Sequence, residues 1–409
     1  MNELWMRRGI CVLGLLVFLG IAWLASTDRR RMNWRLIGSG VLIQLLLGVF
    51  LLRTIPGRKV YDAGSNMLSL LVDASNHGSS FLFGEELVSK CPALGFLPAI
   101  IVVSSLTAVL FHLGVLQKIV WLMSKIMVRV MDVSGSESLA ASANIFVGMT
   151  EAPLVVKPYL KTMTRSELMA MMTGGMATSA GGTMAIYAFI LKEHGVNPGH
   201  LLTASLMSAP ASLVLAKILV PETEHSLTKG EVSIDIPRKD ANVIDAACRG
   251  ASEGMKLALN VAAMLIAFIA LIWLVNQGVG WALPDVGGEP MSLQRVLGWA
   301  FAPLAWLMGI PWSESLLVGQ FLGEKTILNE IIAYQDMAEH SSELSERSKI
   351  IVSYALCGFA NFGSVAIMIG GIGGLAPERR KEMAELGMRA LLGGTLAAMM
   401  TANIAALMI

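Results

Sequence analysis

Charge is what this sequence has least of. Of its 409 residues, 15% are Asp, Glu, Lys or Arg, while 55% are hydrophobic. A chain so poor in charge cannot clothe a water-facing surface, which excludes an ordinary soluble fold. The 31 basic and 30 acidic residues leave a net charge of +1, and no polybasic tail appears, so bulk attraction to nucleic acid is excluded too. The four cysteines, Cys11, Cys91, Cys248 and Cys357, are scattered, with no Cys-x-x-Cys. They read as packing residues, not as a disulfide framework or metal ligands. The six histidines (His77, His112, His194, His200, His225, His340) form no His-Glu-x-x-His, and no Gly-x-Ser-x-Gly occurs. An intramembrane protease or lipid transferase would need such a cluster or a nucleophile–base pair, so the chain is not expected to be an enzyme or to hold a cofactor.

What is present is a repeat. Leu116–Ser138 (LQKIVWLMSKIMVRVMDVSGSES) and Leu293–Ser315 (LQRVLGWAFAPLAWLMGIPWSES) both start Leu-Gln-basic and both end Ser-Glu-Ser. Further on, Phe146–Gly148 answers Phe321–Gly323, and Gly175–Thr178 answers Gly358–Asn361. Each copy is apolar but broken by Gly, Pro and charged residues. In a membrane protein, paired broken segments in two repeats point to a substrate site at the repeat interface.

A helix needs roughly 20 apolar residues to cross the hydrocarbon. Eight spans are expected: Ile10–Ala25, Leu36–Leu52, Leu94–Leu113, Leu168–Leu191, Leu201–Val220, Met255–Val275, Ile350–Gly371 and Met388–Ile409. Two further stretches, Ser138–Leu160 and Ser315–Tyr334, have halves too short to cross and read as re-entrant helical hairpins. Val60–Leu71, Leu116–Val133 and Leu293–Ile310 suit interfacial helices. Arg7-Arg8 ahead of an apolar run imitates a twin-arginine signal, but the run stops at Asp28-Arg29-Arg30-Arg31, so a retained first helix is expected. If residues 26–35 are cytoplasmic, the inside connections 26–35, 118–135, 157–167, 221–253 and 376–382 carry about 17 Lys and Arg. The outside segments 1–8, 53–60, 192–198, 277–292 and 335–349 carry about 8. Both termini then lie outside, the hairpins enter from opposite faces, and the repeats are inverted.

Carboxylates at membrane depth are functional candidates by default. Glu151 sits at the middle of the first hairpin. Glu330, next to Asn329, sits just beyond the tip of the second. The plainer reading of each is an internal ion pair, Glu330 with Lys325 and Glu151 with Lys157, and Lys325 itself reads as structural. Ala177–Thr183 (ATSAGGT) and Phe359–Ser364 (FANFGS) interrupt two spans at matching repeat positions. Unwound backbone there frees carbonyls for a small cation, and half-helix N-termini offer donors to polar groups. Gly370–Leu375 (GGIGGL) has no counterpart and reads as packing.

Gly323–Tyr334 (GEKTILNEIIAY) closely resembles the signature of concentrative nucleoside transporters, a Gly and Lys followed by Asn-Glu-aromatic-Val-Ala-aromatic. Here Ile331 replaces the aromatic and Ile332 the Val. Asn144–Leu160 (NIFVGMTEAPLVVKPYL) resembles the family's first-hairpin motif, with Met149 in place of the usual Gln. Gly358–Ser364 (GFANFGS) resembles its discontinuous seventh span. The resemblance runs from about Leu36 to the end and is closest to the shorter, eight-span bacterial members.

The resemblance implies an all-α polytopic symporter of the elevator type, with eight transmembrane helices and two re-entrant hairpins in inverted repeats, usually a homotrimer in the inner membrane. The implied organisation is scaffold over 1–133, transport domain over 134–222, a cytoplasmic loop, scaffold span and interfacial helix over 223–311, and transport domain over 312–409. The implied contacts for the nucleobase are Gly148, Met149, Thr150, Glu151 and Thr183, and for the ribose Glu330, Phe359, Asn361 and Ser364. Sodium, the implied coupling ion, would meet Asn144, Val147, Thr150, Thr178 and Ser179. Met149 departs from the pattern, because a thioether accepts hydrogen bonds only weakly. Two alternatives stay open at this point: proton coupling, with Glu151 titrating, and a symporter of the same architecture for another small polar solute.

Overall fold

The computed structural model describes residues 2–192, 194–230, 240–282, 284 and 291–409. The expected connections 221–253 and 277–292 therefore lie partly outside the described residues. Among these residues the secondary structure is helical, apart from one bridge pairing Ser134 with Lys229.

The chain opens with α1 (Asn2–Leu24), α2 (Trp34–Arg53), α3 (Ile55–Phe83), the short α4 (Glu85–Lys90), α5 (Pro92–His112) and α6 (Val115–Met131). The first hairpin follows as α7 (Gly135–Ala143), a bend, and α8 (Ala152–Val155). A broken span, α9 (Arg165–Ala177) and α10 (Gly181–Lys192), leads to α11 (Gly199–Leu219) and to the long α12 (Val243–Ala282). The second repeat runs through α13 (Leu293–Leu307), the hairpin α14 (Trp312–Ile327) and α15 (Glu330–Glu339), the broken pair α16 (Glu346–Leu356) and α17 (Phe362–Leu375), and α18 (Arg380–Met408).

The expected repeat is visible as α6 leading into α7 and α13 leading into α14. The two interfacial candidates of the repeat are sharply bent from their partners, α5 to α6 by 77° and α13 to α14 by 119°. Five helices are long and apolar enough to cross a membrane unaided, and the bent pairs bring this to seven. The expected spans Leu168–Leu191 and Ile350–Gly371 are absent from that count because each is two half-helices separated by extended backbone.

Two elements differ from expectation. Val60–Leu71 belongs to a helix of 29 residues, Ile55–Phe83, that packs against α2, α5, α10 and α11. Its ends are set by local signals rather than by hydropathy. Thr54 accepts a hydrogen bond from Gly57 N at 3.1 Å, Pro56 stands in the first turn, and Gly84 closes the helix at φ 85°. The second arm of the first hairpin is barely helical: four residues of α8, then a 3-10 turn at Lys157–Tyr159. Pro153 and Pro158 withhold the N–H groups a longer helix would need.

Burial separates centre from periphery. Some 89% of the apolar window of α11 and 78% of that of α18 is buried, against 22% for α1 and for α12. The exposed leucines, valines and tryptophans of the outer helices suit lipid. Helix α1 is nevertheless seated in the fold, with Cys11 and Phe18 fully buried and packing against α18 and α13. All four cysteines are free thiols. Helices α5 and α12 cross closely, since a Cβ on Gly250 would stand 2.6 Å from the Ser104 carbonyl.

The base of the first hairpin is pinned by polar contacts. Ser134 and Glu137 form a capping box on α7, and Thr164 and Glu167 form another on α9. Lys217 Nζ, buried on α11, pairs with Glu137 at 2.7 Å and Glu222 at 3.1 Å. Gly135 N donates to the Thr228 carbonyl at 2.8 Å. A charge buried this far is retained only when paired, so these bonds hold the hairpin base in one position.

Candidate functional site

The site forms where the two broken spans cross. Helix α9 ends at Ala177, Thr178 is extended (φ −112°, ψ 165°), and α10 restarts at Gly181. On the other side α16 ends at Leu356, and Asn361 (φ −143°, ψ 165°) restarts the chain as the N-cap of α17, accepting from Ser364 N at 2.8 Å. The breaks bond to each other: Phe359 N donates to the Thr178 carbonyl at 3.3 Å. Gly358 makes this crossing possible. Its φ of 143° lies where side chains are disfavoured, and a Cβ there would stand 2.8 Å from the Ala177 carbonyl.

The hairpin tips close the crossing from either side. Asn329 is extended (φ −163°, ψ 168°) and caps α15 by accepting from Ile332 N at 3.0 Å. Glu330 is therefore the first residue of a half-helix, where the backbone dipole favours an anion. Both its oxygens are held: Tyr187 donates its hydroxyl to Oε1 at 2.9 Å, and Asn361 donates Nδ2 to Oε2 at 3.1 Å. Each carboxylate oxygen has a second lone pair, so two donors leave acceptor capacity over. Lys325 does not pair with it. Its Nζ donates to the Ala355 carbonyl at 2.8 Å, at the C-terminal end of α16, which is the structural role expected of it.

All nine expected substrate contacts (Gly148, Met149, Thr150, Glu151, Thr183, Glu330, Phe359, Asn361 and Ser364) line one cavity of about 730 Å³. Its opposite wall comes from α5 and α12, with Ser104, Thr107, Asn260 and Lys256 among the lining residues. Glu151 is exposed to this space. Met149 is 9% exposed and packs beside Gly175 of α9. Thr183 lines the cavity too, but its hydroxyl donates to the Ala180 carbonyl at 2.8 Å, so it has lone pairs and no free donor to offer.

The five expected sodium ligands divide. Val147 and Thr150 lie on the cavity wall, whereas Asn144, Thr178 and Ser179 are buried behind it. Asn144 donates Nδ2 to the Ala140 carbonyl at 3.0 Å, while its buried Oδ1 meets no donor among the described residues. Thr178 Oγ1 donates to the Gly174 carbonyl at 2.8 Å, leaving lone pairs. Ser179 Oγ faces Cys357 Sγ at 3.3 Å, towards the other break. A buried amide oxygen without a donor, as at Asn144, is the type of hard oxygen that a monovalent cation takes.

The sequence reading missed Tyr187. A tyrosine inside an apolar run must find a partner for its hydroxyl, and that signal could have pointed to it. It also missed the charged cluster at the cavity mouth, where Arg249 forks onto Asp240 at 2.6 and 3.0 Å and onto Glu253 at 2.9 Å.

A helical membrane protein with two crossed, broken spans and a polar cavity between their hairpins is a secondary transporter by its architecture. Comparison with known proteins agrees. The chain matches the family models described as Na+ dependent nucleoside transporter N-terminus over residues 13–86, nucleoside recognition gate over 93–193, and Na+ dependent nucleoside transporter C-terminus over 200–406. It is 44% identical to the uncharacterized transporter YutK of Bacillus subtilis across 100% of both chains. It is 36% identical to sodium/nucleoside cotransporter 1 of the rat, covering 98% of this chain and 63% of that one. Among solved structures, CNTnw in an inward-facing substrate-bound state superposes with a TM-score of 0.89, at 40% identity over 98% of each chain. The chain belongs to the sodium-dependent nucleoside transporter family, and it is a multi-pass membrane transporter rather than an enzyme.

Proposed function

We propose that this protein imports uridine-like nucleosides across the inner membrane in symport with sodium, by moving the site between the two faces on a sliding transport domain. The observation that carries this reading is Glu330. Its buried carboxylate is steadied by two neutral donors and keeps free lone pairs in a cavity of about 730 Å³, within the range of small-molecule sites. Ribose hydroxyls are donors, and an ionised carboxylate accepts them with charge-assisted bonds. Asn361, Phe359 and Ser364 complete the sugar side. Gly148, Met149, Thr150, Glu151 and Thr183 form the base side, with Thr183 acting as acceptor.

Sodium in this reading sits at Asn144, Val147, Thr150, Thr178 and Ser179. Thr150 belongs to both the ion and the base set, so each ligand would order groups that the other needs, and coupling follows by linkage. The moving body is assigned to residues 134–222 and 312–409 and the scaffold to 1–133 and 223–311, with both termini outside and a homotrimer as the assembly. Support for the partition comes from α5 and α12, which pack against each other and face the cavity from the side opposite the crossed breaks.

Uptake of radiolabelled uridine into proteoliposomes, with sodium and proton gradients imposed separately, tests the proposal. Sodium-driven accumulation is expected. Uptake driven by a pH gradient alone, with equal uridine affinity in sodium and in choline, would overturn the sodium assignment.

A further inference from the structure

The repeat sets α6 and α13 in equivalent positions, yet the two helices are covered differently. Leu116 answers Leu293 and Met131 answers Met308, so Trp121 stands where α13 has Gly298, Lys125 where it has Ala302, and Arg129 where it has Trp306. In α13, Gly298 and Ala302 are buried against α14. The fit there is close: a Cβ on Gly298 would stand 2.9 Å from the Leu316 carbonyl, and one on Gly319 of α14 would stand 2.8 Å from the Ala302 nitrogen. In α6 the matching positions are open. Trp121 is 39% exposed, and Lys125 and Arg129 are exposed too. Helix α6 packs through another side, Leu116, Val120, Ser124, Met127 and Met131, on α7, α2 and α5.

The open side carries a line of cations. Lys118, Lys125 and Arg129 recur at spacings of seven and four, which align on a helix, and all three are exposed. Helix α6 contains no Asp or Glu. Among the described residues no carboxylate pairs with any of the three, and Asp132, just past the helix, stands 3.8 Å from Lys229. Lys125 Nζ lies over the Trp121 ring, 4.6 Å from its centroid, which holds the two side chains together. Beside this line Ile119, Leu122, Ile126 and Val130 are exposed. An interfacial helix with an apolar flank, a tryptophan at the boundary and unpaired cations along its outer side is complementary to an anionic lipid, acyl chains on the flank and phosphate on the cations. A packed helix is the poorer fit, because Trp121 and Lys125 forbid the close approach that Gly298 and Ala302 allow in α13.

We propose that the open side of α6 seats the headgroup of an anionic phospholipid, with Lys118, Lys125 and Arg129 on its phosphate and Trp121 at the hydrocarbon boundary. On the topology proposed above this lipid belongs to the cytoplasmic leaflet; the seat rests on neither that topology nor the nucleoside reading. Ser138 Oγ of the first hairpin donates to the Ser124 carbonyl on the buried side of α6 at 2.8 Å, so a lipid that steadies α6 steadies the base of that hairpin.

The test uses the full-length protein in bilayers that contain brominated phosphatidylglycerol or brominated phosphatidylcholine. Bromine quenches tryptophan on contact, and the fluorescence missing from Trp121→Phe isolates the reporter. Stronger quenching of that component by phosphatidylglycerol is expected. The preference should fall about fivefold for each charge removed, in Lys125→Gln alone and further in Lys118→Gln/Lys125→Gln/Arg129→Gln, whereas Lys125→Arg should keep it. Equal quenching by the two lipids in the wild type overturns the seat, as does a preference that survives the triple substitution. If the triple variant fails to assemble, the contrast between Lys125→Gln and Lys125→Arg decides by the same criterion. Quenching by neither lipid, with cross-linking between copies that the triple variant abolishes, would assign the face to a second copy of the chain and overturn the proposal.

Discussion

Glu330→Gln is the sharpest test of the site. The substitution keeps the shape and removes the charge. Its effect on the free protein should be small, because the neighbours can accommodate an amide. Asn361 is fixed in direction, since its Oδ1 caps Ser364 N at 2.8 Å and its Nδ2 must donate towards position 330. The new Gln oxygen is therefore forced towards Asn361. Its Nε2 faces Tyr187, whose hydroxyl can turn and accept instead of donate. The lone pairs proposed to meet the ribose are now partly replaced by an N–H, and the remaining acceptor is uncharged. Loss of a charge-assisted hydrogen bond costs on the order of 1.5–3 kcal/mol. That corresponds to roughly tenfold to a hundredfold in affinity. Isothermal titration of uridine against purified wild type and Glu330→Gln, in saturating sodium, measures it. Unchanged affinity would refute the assignment. A melting temperature many degrees lower would instead show that Glu330 serves the fold. Tyr187→Phe provides the control: it removes one donor from Oε1, weakens binding by a smaller factor, and should combine with Glu330→Gln less than additively because the two share one interaction.

Met149→Gln places a hydrogen-bonding amide on the cavity wall and should change discrimination among uridine, cytidine, adenosine and inosine by about 0.5–1.5 kcal/mol; an unchanged ranking would mean that position 149 does not face the base. Thr178→Ala and Asn144→Ala should raise the sodium concentration needed for half-maximal uridine binding, with partial rescue at high sodium, whereas a loss that no sodium concentration restores would argue against ion ligation. Gly358→Ala sets a side chain at φ 143° against the Ala177 carbonyl, and should lower stability by about 1–3 kcal/mol or more in thermal unfolding; a neutral result would show that the crossing of the breaks is loose. His340 is outside the membrane helices: burial works against its charge, but the Asp336 carbonyl and carboxylate outweigh this and hold its pKa above the ordinary histidine value. The folded pKa is raised, so its contribution to stability is complete below the unfolded pKa and is lost as pH rises through the folded one; His340→Gln should flatten that part of the melting-temperature profile.

Much of the site was legible because it is written in local signals. Two small-residue breaks at equivalent repeat positions, Ala177–Thr183 and Phe359–Ser364, mark half-helices by composition alone, and both spans are broken there. Glu330 was conspicuous as a carboxylate in an apolar hairpin. Helix α3 was under-read because its polar residues, among them Asp62, Asn66, Asp73 and Asn76, mask a helix whose limits are set by Thr54 and Gly84.

By itself, the sequence determined the membrane environment, the inverted repeat, the two hairpins and the places where helices must break, since hydropathy, Gly and Pro act within a few residues of where they stand. Only the tertiary structure decided who meets whom. The Tyr187 hydroxyl reaches Glu330, 143 positions further along the chain, and the Phe359 amide finds the Thr178 carbonyl. Lys325 bonds to the end of α16 rather than to Glu330. Such partnerships depend on how helices pack and rotate against one another, and a one-dimensional pattern carries helix periodicity but not the angle at which two helices cross.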